Sequence, residues 1–285
     1  MERLWRCREH RIVCGTRTLL VGVVNVTPDS FSDGGLHPDP DAATAHGLRL
    51  AEESADVLDV GGESTRPGAE PVTADDEISR VVPVIERLVA KLPGLPVSVD
   101  TRKPEVAAAA LAAGASIVND IGAGTEPGMF EAVRGAGAGM VLMHMKGEPR
   151  TMQLDPTYDD VVGEVTEFLR ERLEAAIFAG IPQEQLCADP GIGFGKNLEH
   201  NLALLRATRS MRDALGVPFL LGPSRKRFIG TLTDTPDPAD RVDGTAGAVA
   251  WVAAQGADLV RVHDVRAMRR VVRVVDAIAR ASASP

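Results

Sequence analysis

Eight times along the chain a short apolar run gives way to a longer amphipathic, Ala-rich stretch, and this alternation constrains the fold more than any other feature. It predicts strands at 19–25, 57–61, 96–100, 116–120, 139–143, 185–189, 217–222 and 258–262. Helices are expected at 41–55, 75–91, 104–113, 127–136, 158–179, 198–215, 241–255 and 264–280, several opened by Asp or by Pro near the first turn. The strands read as continuous apolar runs rather than as an in–out alternation, which suits parallel strands buried on both faces. A doubly wound open sheet and a closed (β/α)8 barrel both satisfy that pattern.

The polar residues choose between them. Each apolar run ends on a side chain with chemistry to offer: Asn25, Glu63, Asp100, Asn119 with Asp120, His144, Asp189, Ser224 with Lys226, and Arg261 with His263. A barrel gathers all eight strand ends at one mouth, whereas the outer strands of an open sheet lie too far apart to share a ligand. The fold class expected is therefore α/β, a (β/α)8 TIM barrel over 19–285 as a single domain. Residues 1–18 form a short N-terminal extension expected to close the opposite face. The stretches Thr27 to Asp41 and Gly61 to Asp75 are long, Gly/Pro/Ser/Asp-rich βα connections, a composition that favours functional lids.

Charge narrows the partners. With 31 Lys+Arg against 40 Asp+Glu the formal net charge is −9, which argues against nucleic acid or an anionic membrane surface. On that count alone an anionic substrate is disfavoured too. The longest apolar runs, such as Leu19 to Val24, are far too short to span a bilayer. The first ten residues are charged throughout, so no secretory signal is expected. Cys7, Cys14 and Cys187 are odd in number and lack CxxC spacing, which fits reduced thiols in the cytoplasm, with Cys187 as plain core.

Several motifs fail on inspection. Gly191 to Lys196 has the look of a phosphate loop, but Pro190 stands where the pattern demands Gly, and Asn197 where it demands Ser or Thr. No GxGxxG follows the first strand, and no His/Cys cluster accompanies His144 or His263, so neither a dinucleotide nor a zinc site is expected. The acidic strand ends carry more. One Asp at a strand end is usually a cap or loop hydrogen-bonder, but Asp100, Asn119 and Asp189 together, with no Lys or Arg in their own strands, need donors. A flat ring edge bearing several N–H groups, such as a 2-amino-4-oxo-pyrimidine, supplies them. Ser224-Arg225-Lys226-Arg227 after strand 217–222, and Arg261 with His263 after 258–262, occupy the place where such barrels commonly bind phosphate. At the start of a helix the basic run favours an anion further. Acceptors on one side of the mouth and cations on the other are thus expected.

These residues resemble a known family. Gly22-Val-Val-Asn25-Val-Thr27-Pro-Asp29-Ser-Phe31-Ser32-Asp33-Gly-Gly35 and Asp59-Val-Gly-Gly-Glu63-Ser-Thr65-Arg66-Pro67-Gly68 are similar to the two signature patterns of dihydropteroate synthase. The likeness continues through Asp100, Asn119-Asp120, Asp189 to Lys196, Ser224-Arg-Lys226 and Arg261-Val-His263, in family order over residues 19 to about 280. The resemblance implies a pterin-binding barrel, usually a homodimer, that joins 6-hydroxymethyl-7,8-dihydropterin pyrophosphate to p-aminobenzoate. Pyrophosphate leaves and 7,8-dihydropteroate forms.

It further implies that Asp100, Asn119 and Asp189 hold the pterin, with Met143 on its face and Lys226 at its polar edge. Arg261, His263 and Asn25 would hold the pyrophosphate, Asn25 sharing a Mg²⁺ ion with it, and Ser224 belongs to the same binding set. Phe31, Ser32, Thr65, Arg66, Pro67 and Phe194 would enclose p-aminobenzoate together with Lys226. Lys226, Arg261, His263 and Asp33 make up the catalytic set. Sulfonamides are expected to compete with p-aminobenzoate. Two positions depart from the family pattern, Pro223 and Arg227, and imply retuned carboxylate binding rather than lost activity. The rivals are a corrinoid-linked pterin methyltransferase, which has no use for these cations or the Phe-Ser-Asp lid, and a paralogue that binds pterin without synthesis.

Overall fold

Two antiparallel strands, β1 (Arg3–Cys7) and β2 (His10–Cys14), precede eight parallel ones in the computed structural model, which describes residues 2–27, 39–64, 70–148 and 150–280. The parallel strands are β3 (Leu19–Asn25), β4 (Val57–Gly61), β5 (Val97–Asp100), β6 (Ile117–Asp120), β7 (Gly139–Met143), β8 (Leu186–Asp189), β9 (Leu220–Leu221) and β10 (Leu259–Val262). From β3 to β8 sequence neighbours are sheet neighbours, and β10 lies between β3 and β9. A bridge between Ala188 and Phe219 joins β8 to β9 and closes the ring.

Around it stand α1 (Pro40–Glu52), α2 (Ala74–Lys91), α3 (Pro104–Ala112), α4 (Met129–Ala136), α5 (Val161–Phe178), α6 (Leu198–Arg206), α7 (Thr208–Leu215), α8 (Arg227–Thr233), α9 (Val242–Ala254) and α10 (Val265–Arg280). Side-chain oxygens of Asp39, Thr73 and Asp160 accept first-turn N–H groups of α1, α2 and α5, satisfying donors that the helix itself leaves free.

Alternation along each strand sorts the core into two layers. Leu20, Leu58, Val99, Val118 and Leu142 face outward and pack against the helices. Val21, Val57, Ile117, Val141, Cys187, Leu220 and Leu259 face inward and meet Trp5, Cys7 and Cys14 of the hairpin. Trp5 is 1% exposed and its indole N–H donates to the Gln185 carbonyl at 3.0 Å. The hairpin therefore plugs the end of the barrel where the strands begin, and the end where they finish is left as the mouth.

Two elements differ from the sequence expectation. The strand expected at 217–222 is reduced to Leu220–Leu221. Pro218 and Pro223 flank it without N–H groups, and the Phe219 N–H turns to the Asp258 carboxylate at 3.1 Å rather than to a strand. The single helix expected at 198–215 is two, because the Leu205 carbonyl accepts from the Thr208 hydroxyl at 2.9 Å and the Trp251 indole at 3.0 Å.

Candidate active site

Strand register lines up the mouth. Asn25 pairs with Gly61, Gly61 with Asp100, and Asp100 with Asn119, so four adjacent strands present these residues side by side. Gly61 has no side chain, and a Cβ there would lie 3.5 Å from that of Asp100, so this glycine leaves room between Asn25 and Asp100. Across the barrel Met143 pairs with Asp189. Asn119, Met143 and Asp189 are buried, while Asn25 and Asp100 are half-buried.

Arg261 binds the acidic side together. Its Nε donates to Asp59 at 2.6 Å and its terminal NH2 group to Asp100 at 2.7 Å. Asp59, fully buried in the middle of β4, also accepts from the Asn119 side-chain amide at 3.1 Å. This corrects two expectations. Asp100 is not left without a protein cation, because the donor comes from a strand distant in sequence. Nor do acids and cations sit on opposite sides of the mouth, since Arg261 lies among the carboxylates. Asp59 was missed as a site residue; the signal was a charged residue inside the otherwise apolar run VLDVG.

Burial drives the electrostatics. It pushes the Asp100 carboxyl up to about 7 against the pull of Arg261, and Asp189 up to about 6 against the Gly191 N–H, which donates to it at 2.7 Å. It pulls the Lys226 ammonium down to about 8, with Arg261 adding repulsion. For Arg261 burial works against the charge, but Asp59 and Asp100 outweigh it and raise the pKa above the usual guanidinium value.

The turn after β8 is built around Lys196. This buried ammonium meets His144 Nδ1 at 2.9 Å and the Phe194 carbonyl at 2.9 Å, fastening the end of β7 to the loop that carries Phe194. Burial lowers Lys196 to about 7, and burial with Lys196 nearby lowers His144 to about 3. Gly191 has φ of +67°, and a Cβ would strike the His144 carbonyl oxygen at 1.9 Å, so only glycine fits. Lys226 Nζ sits 4.0 Å from the Phe194 ring centroid, a cation over an aromatic face.

The basic run divides. Ser224 and Lys226 reach the mouth, Ser224 Oγ lying 3.0 Å from His263 Nδ1. Arg225 turns away to Asp264, with Nε at 3.0 Å and NH2 at 2.6 Å, and Arg227 is exposed. Other polar strand ends serve the scaffold. Asp120 accepts from the Gly122 and Gly124 N–H groups, and Glu63 pairs with Lys103 at 2.8 Å while accepting from the Val72 N–H. Phe31, Ser32, Asp33, Thr65, Arg66 and Pro67 lie outside the described residues.

The sequence pattern of the family described as pterin binding enzyme matches residues 21–263. A Synechocystis sp. protein named dihydropteroate synthase is 45% identical over 265 residues, covering 93% of this chain and 91% of that one. The chain belongs to the dihydropteroate synthase family. Among solved structures of this family, that of the Xanthomonas albilineans enzyme with 4-aminobenzoic acid superposes with a TM-score of 0.92 at 50% identity, over 99% of this chain and 100% of that one. The Yersinia pestis dihydropteroate synthase with a sulfonamide drug complex gives 0.91 at 41% identity, over 98% and 100%. Relative to the dihydropteroate synthase pattern, Pro223 is buried and its carbonyl accepts from the Lys226 N–H at 3.3 Å, so it sits in the turn that presents Lys226.

Proposed function

We propose that this chain is a transferase that condenses 6-hydroxymethyl-7,8-dihydropterin pyrophosphate with p-aminobenzoate, giving 7,8-dihydropteroate and pyrophosphate. Family membership supports the reaction. The observation that carries the site assignment is the set Asp100, Asn119 and Asp189 at the barrel mouth, the last two buried and Asp100 hydrogen-bonded to Arg261. Carboxylates held there accept the ring N–H groups of a pterin, and the ring rests on Met143. Lys226 stands between Asp189 and Phe194, with reach to the pterin edge and to the carboxylate of p-aminobenzoate. Phe194 then packs on the benzene ring.

The chemistry asks for stabilisation of charge departing with pyrophosphate and for an amine held in line. Arg261 and His263 supply the first, with Ser224 fixing the His263 ring by its hydrogen bond. An arylamine is neutral at pH 7, so no strong general base is required. Asp33, Phe31 and Ser32 on the first loop, with Thr65, Arg66 and Pro67 on the second, complete the p-aminobenzoate pocket in this reading.

Among the described residues no group of three His, Cys, Asp or Glu could hold a metal alone. The donor at the mouth is the Asn25 amide, which suits Mg²⁺ arriving on a diphosphate, because Mg²⁺ keeps several waters and takes phosphate oxygens as ligands. When bound, Mg²⁺ neutralises charge on the leaving pyrophosphate.

Sulfonamides compete with p-aminobenzoate in this reading. A cytoplasmic location is supported by three free, buried thiols, and a homodimer by Trp251, Val274 and Ile278 exposed on neighbouring helices α9 and α10. No described helix is long and apolar enough to cross a membrane. Incubation with both substrates and Mg²⁺ tests the function: pyrophosphate release must depend on p-aminobenzoate, and release without that dependence would overturn the reading.

A further inference from the structure

Below the mouth, on the barrel axis, lies a cavity of about 10 Å³ with Trp5, Ile117 and Leu220 on its apolar side and Asp59, Ser98 and Asn119 on its polar side. All six are buried. Asp59 Oδ1, Ser98 Oγ and Asn119 Oδ1 each lack a hydrogen-bond partner among the described residues, so three of the unpartnered buried polar atoms belong to the walls of one small space. Native interiors pair nearly all such atoms, with protein or with ordered water. A space of this size holds one water, and a buried water needs two to four polar partners.

The donor count identifies the occupant. Ionised Asp59 and the amide oxygen of Asn119 only accept, while the Ser98 hydroxyl donates. A water donates twice and accepts at least once, so it satisfies all three together. Its place also matters. Asp59 Oδ2 is already committed to Arg261 Nε and to the Asn119 amide, so a partner on Oδ1 fixes the rotation of the carboxylate that orients both.

We infer that one ordered water is bound at this position as a part of the site, and that Ser98 is a positioning residue. Through the water and Asp59 it holds Asn119 and Arg261 in register for the ligand. The effect on pterin rests on the proposed function; the water itself does not.

Valine and threonine have the same shape and differ by the hydroxyl, so Ser98→Val and Ser98→Thr isolate that group. High-resolution crystal structures should show a density peak within hydrogen-bond distance of Asp59 Oδ1, Ser98 Oγ and Asn119 Oδ1 in the wild type. The peak should persist in S98T and be lost or displaced in S98V. Calorimetry with 6-hydroxymethylpterin should give S98V an affinity about fivefold weaker than S98T, with KM for p-aminobenzoate unchanged between the two. A dry cavity in the wild type overturns the water. Equal pterin affinity in the two variants overturns the positioning role. A wild type that binds no pterin at all instead defeats the proposed function, while the density still decides the water. If neither variant folds, the wild-type density carries the test.

Discussion

Arg261 donates to Asp100 at 2.7 Å across the barrel mouth, joining residues 161 positions apart in the sequence. The same guanidinium reaches Asp59 at 2.6 Å, so its charge is shared between two carboxylates before any diphosphate arrives. A fork of this kind needs a planar guanidinium, because lysine offers a point charge. Arg261→Lys should therefore lower kcat/KM by about tenfold or more despite keeping the charge. Arg261→Ala should also destabilise the fold by about 3–5 kcal/mol, since it strands the Asp59 charge in the interior. Urea unfolding and steady-state kinetics check both; an Arg261→Ala protein as stable as the wild type would defeat the pairing.

Asp189 titrates within reach of ordinary assays. Burial raises its carboxyl to about 6, and protonation puts an O–H donor on a group whose ionised form accepts from a pterin ring with both oxygens. Through Asp189 alone pterin affinity would be level above pH 6 and fall as pH drops below it, by about tenfold per pH unit once the carboxyl is protonated. Asp100, raised to about 7, starts the decline earlier. Using 6-hydroxymethylpterin removes the diphosphate's own titration from the measurement. In Asp189→Asn affinity should be about 10- to 100-fold weaker at pH 8, with a shallower pH dependence. A profile that is flat in the wild type from pH 8 to pH 5 would rule the role out.

The barrel was legible because strand burial and strand-end chemistry are both local patterns. Runs such as LLVGVVN carry the parallel sheet, and the polar residue closing each run points to the mouth. The Arg261 network was not legible, because it depends on which strands meet across the ring, and only closure brings β10 next to β3 and its arginine over β4 and β5. Lys196 was hidden for a different reason. A lysine in a Gly-rich turn reads as solvated, and its burial follows from backbone geometry at Gly191 and Gly195. The shortening of the strand at 217–222 reflects a competition that sequence periodicity cannot register, the Asp258 carboxylate capturing the Phe219 N–H.

Lys196 should leave a mark on the pH dependence of stability. Buried among His144 and the Phe194 carbonyl, with Asp189 and Lys226 also acting on it, it loses its proton near pH 7 in the folded chain. Unfolded, it stays charged to its ordinary value, so between those limits the unfolded state holds the extra proton and stability rises with pH. The gain is complete above the ordinary lysine value and is lost as pH falls through about 7. Comparing wild type with Lys196→Met in urea between pH 7 and pH 10 should show a smaller rise in the variant. The variant should also have a raised KM for p-aminobenzoate, because the Phe194 turn loses its anchor. Parallel stability curves for the two proteins would sink the assignment.

The plug at the far end of the barrel is tight enough to test by adding one carbon. A Cβ on Gly139 would lie 2.4 Å from Cys7 Sγ, closer than side-chain carbons approach, and a tight 3.3 Å from the Trp5 ring, and both neighbours are buried. Gly139→Ala should therefore push the hairpin off the barrel floor and cost about 1–3 kcal/mol by overpacking. Cys7→Ala removes the atom in the way, so the double variant should recover part of that loss, a non-additivity that marks direct contact. Trp5→Ala, which empties the floor and strands the Gln185 carbonyl, should cost about 3–5 kcal/mol. Thermal unfolding of the four variants beside the wild type measures these effects. If Gly139→Ala and Cys7→Ala combine additively, the hairpin does not seat where this packing places it.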